Sequence, residues 1–131
     1  MQYLLSRVGT SLGYDAVVAV NDRSRSFNGA QLSQLCLPCL PALDLEPEVC
    51  NTIALIDVLW LEKGTNRIIG AFEVEKSTSI YSGILRLLDL AASAAARPDQ
   101  LYLVAPDARE REIHAQLARP SFAEADLHYI L

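Results

Sequence analysis

The sequence predicts an α/β fold, a mixed β-sheet flanked by helices, with its elements in the order α-β-β-β-α-β-α-β. Three observations predict it. Two apolar stretches, Ile53 to Leu61 and Arg67 to Glu75, flank the turn signal Lys63-Gly64-Thr65-Asn66 and read as a β-hairpin. Residues 80–96 are apolar over most of a helical surface, which marks a largely buried helix. Leu101 to Ala105 is then a continuous apolar run, the pattern of a strand covered on both faces. A hairpin joined through a helix to a further strand makes the sheet mixed and places helices on its faces.

The remaining elements follow in chain order. Residues 1–12 form a short helix with Leu4, Leu5, Val8 and Leu12 on one side, and Gly13 ends it. Ala16 to Val20 is a short apolar strand. Asn21 to Gly29 is polar and carries Arg23 and Arg25. Residues 30–50 contain Pro38, Pro41 and Pro47 and read as a loop with at most one helical turn. Ser77, Thr78 and Ser79 are natural caps for the helix at 80, and Pro98 stops it. Asp107-Ala108-Arg109-Glu110 has capping-box spacing before a helix that runs to about Ala118. Leu127 to Leu131 closes the chain as a strand, and there is no internal repeat.

A chain of 131 residues is the size of one domain, so 1–131 is read as a single unit. Its hydrophobic fraction of 51% fills a core and argues against disorder. No apolar run reaches the length of about 18–20 residues that crosses a bilayer. The first residues lack the pattern of a signal peptide, and the expectation is a soluble, cytoplasmic protein. Three cysteines, Cys36, Cys39 and Cys50, do not make a disulfide framework. A zinc site would need all three plus His114 or His128 from far along the chain; three small, semi-buried thiols are the simpler reading. The net charge of −5 disfavours a protein that holds DNA by phosphate contacts alone. An enzyme whose carboxylates hold a cation is compatible with it.

Chemistry is concentrated in the hairpin. Asp57 stands among Ile56, Val58, Leu59 and Trp60, where an ionised carboxylate is costly without a partner, a metal or water. Glu73 and Glu75 are two apart on a strand and share one face. Register decides whether Asp57 joins them. A three-residue loop, Gly64-Thr65-Asn66, pairs Asp57 with Glu73, and three carboxylates converge. A four-residue loop sets Asp57 against Phe72 instead and separates them. Converging carboxylates repel unless a hard cation sits among them, and Mg²⁺, or Mn²⁺ in its place, suits metal-assisted hydrolysis of a phosphodiester. The simpler reading makes Glu73 and Glu75 polar residues on a solvated strand face; Asp57 is hard to explain that way.

A strand with Asp, a turn, a second strand with Glu-x-Glu and then a helix resemble the PD-(D/E)xK, restriction-endonuclease-like superfamily. The ordered segments Asn21-Asp22-Arg23-Ser24, Ile56 to Trp60, Phe72 to Glu75, Ser77 to Gly83 and Val104 to Asp107 resemble one bacterial branch of it, over about residues 13–122. The resemblance implies a Mg²⁺-dependent attack of water on DNA. It makes Asp57 and Glu73 metal ligands, joined by the Val74 carbonyl, and puts Glu75 where the family's lysine usually stands. Ile56 replaces the motif proline. Lys76 comes one residue late and points to the other face unless a β-bulge re-aims it. A glutamate there holds a second metal but donates no positive charge.

Arg23, Arg25 and Arg86 are candidate phosphate contacts. The bland alternatives are solvated loop charges for the first two and a pair with Asp89, three residues along the helix, for Arg86. Tyr81 is close enough to the helix start to reach the site or to pack beside it, and Trp60 has the strand parity of a core residue. The expected function is a metal-dependent endonuclease acting on DNA as a homodimer, with a specificity-supplying partner protein left open. The alternatives are an inactive descendant that binds nucleic acid or a protein, and an unrelated α/β binding module.

Overall fold

A computed structural model describes residues 1–22, 26–27, 30–31, 35–37, 41, 46–75, 79–92, 98–122 and 127–130, with backbone alone at 26–27 and 30–31. Helix α1 (Gln2–Ser11) leads into strand β1 (Asp15–Val18), and Gly13, at φ 92°, makes the turn between them. A small antiparallel pair follows, β2 (Ser26–Phe27) and β3 (Ala30–Gln31). Then come α2 (Pro47–Ile53), β4 (Val58–Leu61), β5 (Ile68–Val74), α3 (Ile80–Ala92) and β6 (Gln100–Val104). A 3₁₀ turn at Asp107–Arg109 enters α4 (Glu110–Leu117), and β7 (Leu127–Ile130) ends the sheet.

Five strands form one mixed sheet in the order β1-β4-β5-β6-β7. β1, β4 and β5 are antiparallel neighbours; β5, β6 and β7 run parallel. That is the architecture expected from the hairpin and the two helical connections. Strand alternation divides the core between two faces. Ala16, Val18, Val58, Phe72 and Val104 pack on one face with Tyr3 and Leu5 of α1. Val17, Leu59, Leu61, Ala71 and Leu101 pack on the other with Ile53 of α2 and Leu87 and Leu90 of α3. Ile113 of α4 joins Ile80, Ile84 and Leu103 on that second side. Trp60 belongs to the α1 face, where its indole Nε1 donates to the Leu5 carbonyl at 3.0 Å. No helix among the described residues is long and apolar enough to cross a membrane.

Three local expectations are corrected. The strand expected from Ile53 begins only at Val58, because α2 runs to Ile53 and turn bonds from Leu55 to Thr52 and from Ile56 to Ile53 carry the chain to Asp57. The expected loop at 30–50 therefore ends in a helix of seven residues. Pro47 does not break it, since Pro sits at the first helical position, where no intrahelical N–H bond is lost. No side-chain cap forms at α4; Arg109, at its N-terminus, instead pairs with Glu112 at 2.9 Å. By contrast, Ser79 does cap α3, its Oγ accepting from the Ser82 N–H at 3.3 Å. Ser77 and Thr78 lie outside the described residues.

Candidate metal centre

The loop has four residues, and the carboxylates converge all the same. Glu62 N–H donates to the Arg67 carbonyl at 2.8 Å, so Lys63, Gly64, Thr65 and Asn66 make the turn. Gly64 (φ 91°) and Asn66 (φ 59°) supply its left-handed positions. Leu61 then pairs with Ile68, but Trp60 pairs with Gly70: Ile69 is an extra residue on β5. This β-bulge shifts the register by one. Beyond it Val58 faces Phe72, which brings Asp57 level with Glu73. The expected dependence on loop length was thus incomplete, because loop and bulge cancel.

Asp57 stands just before β4, half-buried at the mouth of the strand. Its Oδ2 accepts from the Val74 N–H at 2.6 Å. Its carbonyl accepts from Ala19 N–H and from Gln2 Nε2, both at 3.2 Å. Glu73 on β5 and Glu75 just beyond its end lie against α3 and are 0% and 1% exposed. That burial overturns the picture of polar residues on a solvated strand face. One ligand oxygen each from Asp57, Glu73 and Glu75 lies within 4.8 Å of the others. Among the described residues this is the one cluster of metal-ligating side chains of that kind.

Residues 1–131 match the family described as the Type II restriction enzyme NmeDI C-terminal domain. The chain belongs to that family. No curated protein and no solved structure matches it. In this member of the NmeDI C-terminal domain family, the acidic cluster lies beside an arginine of α3. Arg86 of α3 does not turn to Asp89. Its Nε donates to Glu73 Oε1 at 2.6 Å and a terminal nitrogen donates to Glu73 Oε2 at 3.3 Å. The same terminal nitrogen lies 3.8 Å from Glu75 Oε1.

The electrostatics follow from this packing. Burial pushes the Glu73 carboxyl up to about 9; Arg86 opposes the shift and neighbouring Asp57 adds to it. Glu73 in turn raises the Arg86 guanidinium, opposing the effect of burial. Close approach of α3 is made by Gly83: a Cβ there would stand 2.5 Å from Glu75 Oε1 and 3.2 Å from its Cδ. The sequence carried no signal for that contact beyond the glycine itself.

Other expected site residues fall variously. Val74 is present at the cluster through its N–H. Arg23, Arg25 and Lys76 lie outside the described residues. Tyr81 packs on Phe122, ring centroids 5.7 Å apart, with the Arg119 guanidinium 5.0 Å from its ring. Cys36 is buried and its thiol donates to Ser6 Oγ at 3.4 Å; Cys39 lies outside the described residues.

Proposed function

We propose that this domain hydrolyses DNA phosphodiester bonds as a PD-(D/E)xK-type endonuclease, with Mg²⁺ or Mn²⁺ held by Asp57, Glu73 and Glu75. The observation that carries the reading is the convergence of three carboxylates, two of them fully buried, at mutual distances up to 4.8 Å. Oxygens on opposite sides of one ion at about 2.4 Å span that distance, and Mg²⁺ at about 2.0–2.1 Å draws them in by a few tenths of an ångström. The donor set is all oxygen, as a hard cation requires. Membership in a family named for a type II restriction enzyme's C-terminal domain supports DNA as the substrate.

When bound, the cation supplies a water of lowered pKa and positive charge for the phosphoryl oxygens. The chain's own residues do the rest. The Val74 N–H fixes the Asp57 carboxylate, and the Val74 carbonyl is a further proposed ligand. Glu73 must release its proton before it can ligate, so cation affinity rises with pH. Glu75 fills the lysine position of the motif with an acceptor, so positive charge at the phosphate has to come from another residue. Lys76 is one proposed source, and Arg23 and Arg25 are proposed phosphate contacts along the DNA backbone. Cutting both strands calls for two sites, and we extend the proposal to a two-fold pair of chains with specificity supplied by a partner protein.

The test is cleavage of supercoiled plasmid with Mg²⁺ or Mn²⁺, with chelator as control, by the wild type, Asp57→Ala and Glu73→Ala. Metal-dependent cutting that disappears in both folded variants is the expected result. A wild type that leaves the plasmid intact, or variants that cut as well as it does, would remove the basis for the proposal.

A further inference from the structure

We infer that Arg86 is a tethered counter-ion that holds the carboxylates in the metal-free protein and is displaced by the divalent cation, which frees its guanidinium for the substrate phosphate. The inference rests on the proposed metal-dependent reading of the same cluster. Arg86 spans both glutamates from one side: its two contacts take both oxygens of Glu73, and its terminal nitrogen lies 3.8 Å from Glu75. These are the oxygens a cation would need. Arginine does not deprotonate in a protein, so the competition is relieved only by movement of the side chain. The side chain can move, being 36% exposed where Glu73 is 0% and Glu75 is 1%. It is thus far more exposed than the two glutamates it grips, and it sits on a long stem.

The charges give the exchange its direction. One guanidinium serves a cluster of three carboxyl groups, two of them fully buried. A doubly charged ion neutralises the set more fully than Arg86 does. Once released, the planar guanidinium fork matches a phosphate with two parallel hydrogen bonds. It thereby supplies the positive charge that Glu75 cannot. Arg86 is a positioning residue before the exchange and touches substrate after it.

A purely structural arginine predicts the opposite response to mutation, because a looser cluster binds metal more weakly. The experiment is a Mn²⁺ titration, read by electron paramagnetic resonance of the free ion, on the wild type, Arg86→Gln and Arg86→Lys, with metal-free thermal melts alongside. Arg86→Gln is expected to melt lower without metal and to bind Mn²⁺ about tenfold more tightly, within the usual range of coupled sites. At saturating Mn²⁺ its plasmid cleavage falls at least tenfold. Tighter binding by Arg86→Gln where the wild type binds none overturns the exchange, because Arg86 is then never displaced. Equal or weaker binding in Arg86→Gln overturns it while leaving the metal reading intact. Absence of binding in every protein overturns both. Should Arg86→Gln fail to fold, Arg86→Lys decides: its ammonium cannot grip both Glu73 oxygens in the same fork, so it is expected to bind Mn²⁺ more tightly than wild type, and no gain refutes the exchange.

Discussion

Substituting Gly83 probes the cluster through its tightest contact. In an unobstructed helix Gly→Ala stabilises by about 1 kcal/mol. At position 83 the new Cβ would meet Glu75 Oε1 at 2.5 Å, Cδ at 3.2 Å and Cγ at 3.3 Å. Glu75 is 1% exposed, so its carboxylate has no open space to swing into. Overpacking of this kind costs about 1–3 kcal/mol. The balance for Gly83→Ala is a destabilisation between about 0 and 2 kcal/mol. In a Glu75→Ala background the obstacle is gone, and the same substitution should stabilise by about 1 kcal/mol. Urea unfolding of the four proteins in metal-free buffer measures the cycle, whose coupling should be about 1–3 kcal/mol. A stabilisation of equal size in both backgrounds would refute the packing of Glu75 against α3.

Three further outcomes are expected. Mn²⁺ at about 100 times its dissociation constant should stabilise the wild type by about 2.7 kcal/mol, and Asp57→Ala should lose that gain in a thermal melt. The Glu73 carboxyl is raised from 4.5 to about 9, so the folded metal-free protein binds more protons than the unfolded chain across that window. Stability should then fall as pH rises from about 4.5 toward 9, and Glu73→Gln should flatten the slope measured by urea unfolding at several pH values. Trp60→Phe removes the indole donor to the Leu5 carbonyl and should cost about 1 kcal/mol. Because Trp60 lies on the α1 face, away from the carboxylates, its Mn²⁺ affinity should match wild type.

Much of the sheet was legible because apolar runs and turn residues are local signals. The hairpin, α3 and the strands β6 and β7 follow directly from them. The register was not. Ile69 and its neighbours Ile68 and Gly70 suit a regular strand as well as a bulged one, so nothing local betrays the extra residue that brings Asp57 level with Glu73. Pro47 has the look of a breaker because its position relative to a helix start cannot be seen before the helix is known. The acidic pair Glu73 and Glu75 was visible from strand parity, yet its complete burial was not, since that depends on α3 lying across it. Arg86 shows the same limit. Sequence spacing offers Asp89, three residues away, whereas the folded chain offers two buried carboxylates in need of positive charge. Tertiary proximity decides between them.

Asp57, Glu73 and Glu75 are proposed to act together on one divalent cation. Anomalous diffraction at the manganese edge, from crystals grown in Mn²⁺, tests it directly. A peak is expected about 2–2.6 Å from oxygens of all three carboxylates, with Arg86 withdrawn from Glu73. A map with no peak at the cluster, and Arg86 still on Glu73 at saturating Mn²⁺, would contradict it.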